Sequence, residues 1–291
     1  LKGKKMIALE TLQFSNANAK LEALYNVPEL ESWLADGRKV YSLDLLSGWS
    51  CPAARDCKSK VRETGEISKA GNPKVVVEDG PYTEFRCFSA SQEALLPNVY
   101  KRRKHNYDTL RNLNRPEYDP NGAAYSNEMI HRLNQDLPKD TGILRFHVGG
   151  DFFNSDYFFA ALSLAMMHPD KLFYAYTKSL QYWVKYMELS IEVENFILTA
   201  SRGGYHDDLI EKHGLRESLV VYSEAEAAEK GLEIDHDDSH AAVPDWEFDN
   251  FALLIHGTQP KGSEAAEALK ILKKNKVKHS YSRKKVTVCN S

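Results

Sequence analysis

From residue 143 onward the chain repeats one pattern five times: a short apolar run, then a stretch with helical spacing. ILRFHV precedes YFFAALSLAMM, LFYAYT precedes LQYWVKYMEL, and NFILTA precedes HDDLIEKH. SLVVYS then precedes EAEAAEKG, and FALLIH precedes SEAAEALKILKK. Strands that are apolar throughout are buried on both faces, as in a parallel sheet covered by its own crossover helices. An earlier run, KVYSLDLL at 39–46, adds a sixth strand. Six such units fit a partial (β/α) barrel or a doubly wound sheet. Both folds put the ligand site at the carboxyl ends of the strands.

Every predicted strand ends in polar, ligand-capable chemistry. The first runs into Cys51 and Cys57, the second into His147, Gly149, Gly150 and Asp151. The third ends at Tyr176, Thr177 and Lys178, the fourth at Ser201, Arg202, Gly203 and Gly204. The last two end at Ser223-Glu224 and at His256, Gly257, Thr258 and Gln259. If the strands are parallel, these groups share one rim. Gly149 and Gly150 let backbone approach a ligand closely, and Asp151 can accept from an amine. An ordinary turn with Asp151 as helix cap reads the same way. Arg202 is a candidate for a carboxylate or phosphate, with a solvated side chain as the alternative.

Three of the four cysteines cluster in residues 48–90. Five residues separate Cys51 from Cys57, and twenty-nine separate Cys57 from Cys87. Zinc fingers use two tight pairs, which this is not. Thiolates also bind iron–sulfur clusters, and three would leave one iron of a [4Fe–4S] cluster open. Cys289 in the tail is a candidate fourth ligand. The alternative is three buried free thiols. Residues 47–86 are otherwise loop by composition, with Val75 to Val77 as a short strand, and a loop so long is usually functional or disordered.

Two other stretches carry chemistry. Between Glu233 and His240, six of eight residues are acidic or His, including Asp235, His236, Asp237, Asp238 and His240. They suit a divalent ion or an acid/base pair, or else a solvated loop. The basic run Lys101 to His105 suits a phosphate backbone, or a solvated helix face. Residues 6–36 read as one or two N-terminal helices, with Pro28 starting the second. Residues 88–115 and 127–136 read as helices, with Pro97 interrupting or restarting the first and a turn-rich break over 116–126. VTVC in the basic tail reads as a final edge strand.

Composition narrows the classes. With 38 basic and 41 acidic residues the net charge is −3, so no global field draws the chain to nucleic acid or membrane. No apolar run approaches the ~20 residues of a membrane span. Four cysteines in 291 residues are no disulfide framework, and the chain reads as cytoplasmic. There is no GxxxxGK[ST], GxSxG or HExxH motif, and no GxGxxG after the first strand.

Two resemblances bear on these residues. The cysteine loop after the first strand and the Gly149-Gly150-Asp151 turn after the second resemble radical S-adenosylmethionine enzymes. There a partial (β/α)6 barrel holds a [4Fe–4S] cluster on three cysteines, and a Gly-Gly-Glu-like turn meets the amino group of S-adenosylmethionine. The sequence departs from that pattern: CxxxCxxC is absent, Cys87 lies far downstream, and Asp replaces Glu. The more specific resemblance covers roughly 43–285. SGWSCPAARDC, DGPYTEFRCFSAS, FHVGGDFFNSDYF, FYAYTKS, LTASRGG, EIDHDDSHA, LLIHGTQPKGS and SYSRK are similar to a bacteriophage family, the gene product 88 group. That resemblance implies a phage protein acting in the host cytoplasm.

The resulting expectation is an α/β chain with a partial (β/α)6 TIM-like barrel. Residues 1–37 form an N-terminal helical segment and 38–291 one domain, with a cysteine loop at 47–90 and a helical insertion at 88–136. Cys51, Cys57 and Cys87 hold a [4Fe–4S] cluster. Gly149, Gly150, Asp151, Lys178, Ser201 and Arg202 line a cofactor pocket, with S-adenosylmethionine as the candidate. Asp235, His236, Asp237, Asp238, His240 and His256 face a substrate, and a reductase or ferredoxin is the candidate electron donor. The alternatives are a divalent-metal hydrolase or nuclease on the Asp235–His240 loop, and a non-catalytic phage protein binding a host factor through 101–105.

Overall fold

The computed structural model describes residues 11–113, 123–244 and 250–277. Cys289, the VTVC strand, the extreme N-terminus and most of the 116–126 break lie outside the described residues. In chain order the strands are β1 (Ser15–Asn16), β2 (Lys39–Leu43), β3 (Ser59–Ile67), β4 (Pro73–Asp79) and β5 (Thr141–Phe146). They continue as β6 (Leu172–Thr177), β7 (Phe196–Ser201), β8 (Glu217–Val221), β9 (Glu233–Ile234) and β10 (Phe251–Leu254). The first helices are α1 (Glu31–Leu34), α2 (Phe88–Leu95), α3 (Pro97–Arg111) and α4 (Ala123–Asp136). Then come α5 (Ser155–Met167), α6 (Leu180–Lys185), α7 (Met187–Glu192) and α8 (Asp208–His213). The last are α9 (Glu224–Glu229), α10 (Ser239–Ala242) and α11 (Glu264–Lys274). None is long and apolar enough to cross a membrane.

Eight strands form one sheet in the order β1-β2-β5-β6-β7-β8-β10-β9. From β2 to β10 the long strands are parallel and each new one joins beside the last. The order never reverses, so the doubly wound alternative fails: it needs a switch point where the order turns back. Among the described residues the sheet is open, not closed into a barrel. Antiparallel β1 covers one edge and two-residue β9 the other.

The burial pattern gives the reason for these strands. All six residues of β5 are buried, as an inner strand with both faces covered requires. One face, with Leu144, Phe146, Phe173 and Leu198, packs on helices through Met129, Leu133, Tyr157 and Phe158. The other, with Val40, Ile143, Tyr174 and Phe251, packs on Leu21, Leu24 and Leu30 and on the alanines of α10. The N-terminal segment is thus short 3-10 turns (Leu21–Asn26 and Pro28–Leu30) with one turn of α-helix, sharing this core.

The stretch read as loop at 47–86 is not one loop. Strands β3 and β4 pair as an antiparallel hairpin from Ser59↔Asp79 outward. Most of β3 is exposed, so both faces are polar and the period-2 apolar signal is missing. Of the hairpin's apolar residues only Val61 is buried, with Val75 and Val77 partly so. Pro97 begins α3 at its first position, where its missing N–H costs nothing.

Candidate functional site

The hairpin solves the spacing problem of the cysteines. At its base the Gly80 N–H donates to Lys58 O (2.6 Å), the Thr83 hydroxyl donates to the same oxygen (2.7 Å), and the Cys87 N–H donates to Ser59 Oγ (3.2 Å). Leaving and re-entering at one point, the hairpin makes Cys57 and Cys87 neighbours. Cys51 joins them because its loop is pinned over the end of β7. Arg55 and Asp56 N–H donate to Gly203 O, Tyr205 N–H donates to Ala53 O, and Ala54 bridges Gly204. The Lys58 ammonium also donates to Cys51 O.

All three cysteines line one cavity of about 640 Å³. Burial pushes the Cys87 thiol up to about 12, with the Cys57 sulfur adding to the rise. It also pushes Cys51 well above the ordinary thiol range, with Asp151 and the other two sulfurs adding to it. Cys57 rises through burial too, opposed by the charge of Lys178. Without a cation the trio is therefore neutral. Backbone N–H groups already point at two of the sulfurs: Gly48 at Cys51 (3.3 Å), and Ser89 and Ala90, at the start of α2, at Cys87.

Gly149, Gly150, Asp151, Lys178 and Ser201 line the same cavity. The two glycines are required by protein, not by open space for a ligand. A Cβ on Gly149 would sit 2.6 Å from Arg103 Cζ and Ser89 Oγ; one on Gly150, whose φ is +96°, would sit 2.7 Å from Ser50 Oγ. Asp151 Oδ1 accepts from Thr177 Oγ1 (2.6 Å) and the Phe152 N–H (2.7 Å), and Oδ2 from the Lys178 N–H (2.9 Å). Asp151 does not cap α5; Asn154 does, accepting from the Tyr157 N–H. Lys178 is only 7% exposed and donates to Ser201 O, Ser201 Oγ and Arg202 O. No carboxylate among the described residues ion-pairs with it, though Asp151 feels its charge.

Arg202 is absent from this wall. Its guanidinium reaches Glu217 (2.5 Å) and Glu211 (2.6 Å). The Ser201–Gly204 turn instead serves the cysteine loop: Gly203 has φ +102°, and a Cβ there would meet Asp56 at 3.0 Å.

The acid and His stretch divides. Asp235, His236 and His256 line the cavity; Asp237, Asp238 and His240 do not. Asp237, one residue before the cap position of α10, accepts from Ser239 N–H and Oγ. Asp235 and Asp238 belong to a buried charged layer that sequence reading missed. Lys20 reaches both (3.3 and 2.5 Å), Arg145 donates to Asp238, Tyr174 donates to Asp238 (2.9 Å), and Tyr176 donates to both (3.1 and 3.2 Å). Burial would raise Asp235, but Lys20 and His240 outweigh it and hold Asp235 well below the usual carboxylate range. His240 is raised against burial by Asp235 and Glu233, its ring 3.6 and 3.2 Å from them. The one available signal was Arg145 itself, an arginine inside the apolar run ILRFHV. Lys20 gave none.

The end of β10 closes the wall against α2. His256 packs 4.5 Å from Phe88, Ser91 donates to Thr258 O, and Gln259 exchanges hydrogen bonds with the Arg86 backbone. His147, with φ +66°, packs among Phe146, Phe152 and Tyr157; burial and nearby Arg145 lower its pKa to about 3, so it is neutral. The basic run serves the fold: Arg103 pairs with buried Glu93, Lys104 with Asp108, Lys101 with Asn72 and Arg102 with Ser15.

Among the described residues, no three His, Cys, Asp or Glu side chains are arranged to hold a single metal ion. No curated protein and no solved structure matches the chain. A family model, Gene product 88, matches residues 10–276. The motifs that frame the cavity, from the cysteine loop to the turn after β10, all fall inside that match, and the chain belongs to the phage gene product 88 family.

Proposed function

We propose that this chain is an iron–sulfur enzyme of radical-SAM-like architecture, with Cys51, Cys57 and Cys87 holding a three-cysteine [4Fe–4S] cluster. One observation carries the reading: three thiols spread over thirty-seven residues of sequence line one cavity beyond the carboxyl ends of a parallel sheet. The sequential strand order is also that of a partial (β/α)6 barrel.

The donor set suits a cluster better than a single ion. Thiolates on one tetrahedral ion lie within about 4 Å of each other, given metal–sulfur bonds of roughly 2.3 Å. Among the described residues no three such side chains are arranged for one ion, yet Cys51 feels the sulfurs of Cys57 and Cys87, and Cys87 that of Cys57. A bound cluster supplies one-electron chemistry. The chain's own part is separate. The thiols give up their protons on loading, Lys178 offsets the added negative charge, and the N–H groups of Gly48, Ser89 and Ala90 face the sulfurs. Asp151 Oδ2, with one bond accepted, keeps capacity for an amine such as that of S-adenosylmethionine.

The test is metal analysis after anaerobic, iron-supplied expression. The expected product is brown, with visible absorbance that bleaches on reduction. Cys51→Ala, Cys57→Ala and Cys87→Ala each lose that iron, and Asp237→Ala keeps it. A colourless, iron-free wild-type protein overturns the reading.

A further inference from the structure

The cavity carries a second charged feature that the sulfur side does not use. Arg145 stands within β5, in register with Tyr174 of β6. Its guanidinium carbon lies 4.9 Å from the ring centre of Tyr176 and 6.0 Å from that of Tyr174, and Nη1 donates to Asp238. Ring stacking and one anchored nitrogen fix the plane of the group.

The remaining edge is empty. Nε is a buried donor without a partner, and Nη2 donates to no described residue. The Nε–Nη2 edge presents two parallel N–H bonds, the geometry that grips a carboxylate or phosphate. Arg145 is 8% exposed and lines the cavity. A buried donor left unpaired is destabilising, and the neighbouring carboxylates do not take it up. Asp235 and Asp238 are occupied by Lys20, Tyr174 and Tyr176, and Arg145 reaches Asp238 through Nη1 alone. Across the sheet from the arginine, on β8 and at β10, the lining is apolar, through Val220, Leu253 and Ile255.

We propose that the Nε–Nη2 edge of Arg145 receives the carboxylate or phosphate of the substrate, whose body lies in the cavity that the cysteines also line. Calling the ligand a substrate rests on the iron–sulfur reading; the anion site itself does not.

Inorganic phosphate and malonate are titrated calorimetrically into the full chain, both iron-free and after anaerobic reconstitution, at constant ionic strength. At least one probe binds the wild type, and Arg145→Lys, which keeps the charge beside Asp238 but not the fork, weakens it tenfold or more. Tighter phosphate assigns a phosphorylated substrate, and tighter malonate a carboxylate. Should Arg145→Lys fail to fold, wild-type crystals grown in selenate replace it, with an anomalous peak within hydrogen-bonding distance of Nε and Nη2. The proposal is overturned if neither probe binds, if Arg145→Lys binds as the wild type does, if Lys178→Met alone abolishes binding, or if the selenate lies elsewhere. Arg145-dependent binding in a chain that never takes up iron sinks the cluster reading and leaves this site standing; iron without anion binding does the reverse.

Discussion

Beyond the strand ends, Cys51, Cys57 and Cys87 are neutral thiols whose partners are a few N–H groups. Beside them Lys20, Asp235 and Asp238, from turns and loops, meet Arg145 of β5 in a charged layer that is nearly complete in itself. Both line or underlie one cavity, yet the charged groups pair with one another and the thiols do not. The difference teaches that local density of chemical groups is a poor guide to function. Six acid or His residues in eight read as an ion or acid/base site or else a solvated loop, and most of them are committed to each other. The three cysteines read as one ligand set, and they line one cavity.

The comparison is most exposed at Asp238. Its carboxylate is fully buried and meets Lys20, Arg145, Tyr174 and Tyr176. Asp238→Asn leaves two buried cations facing one carboxylate. Breaking a buried pair in this way typically costs about 3–5 kcal/mol, read from urea unfolding of the iron-free protein. Cys51→Ala in the same assay costs under about 1.5 kcal/mol, because a small, partly exposed side chain leaves little cavity. Equal losses from the two substitutions would break the division between a structural layer and a ligand side.

How much of this was legible follows from what each segment packs against. Strand β6 coincides with LFYAYT because an inner parallel strand is apolar on both faces, and the other long parallel strands fall within a few residues of their runs. Of the β3–β4 hairpin only the Val75–Val77 run, within β4, was legible; β3 was hidden because it buries little beyond Ser59 and Val61. Hiding the hairpin also hid the meaning of the Cys57–Cys87 spacing, since only its closed base makes them neighbours. Ion pairs such as Lys20 with Asp238 join residues over two hundred positions apart, and no local pattern encodes them. Arg202 was misread for the same reason: its partners, Glu211 and Glu217, follow it by too irregular an interval to suggest pairing.

The sulfur side is sharpened by pH. The folded thiols sit above the ordinary value near 8.5, Cys87 at about 12 and Cys51 and Cys57 raised as well. The folded iron-free chain therefore keeps protons that the unfolded chain gives up. This contribution is fully present below about pH 8.5 and is lost as pH rises through the folded values. The slope is up to ~1.4 kcal/mol per pH unit for each thiol. Melting curves of iron-free protein between pH 7.5 and 10 should fall accordingly, and Cys87→Ala should flatten them. A slope unchanged by that substitution would mean the thiols are not the groups responsible.

The smallest effect belongs to Arg202, and it separates the turn's two possible roles. Its side chain is about a third exposed and its partner Glu211 well exposed, so screening discounts the pair. Arg202→Gln should cost about 1 kcal/mol or less and leave both iron content and phosphate affinity as they are. What the Ser201–Gly204 turn does for the cavity it does through backbone: Ser201 O and Arg202 O accept from Lys178, and Gly203 O holds Arg55 and Asp56. A glutamine leaves those carbonyls in position. If iron is nevertheless lost in Arg202→Gln, the guanidinium rather than the peptide chain orients the cysteine loop. The boundary between scaffold and site would then run one residue closer to the sulfurs.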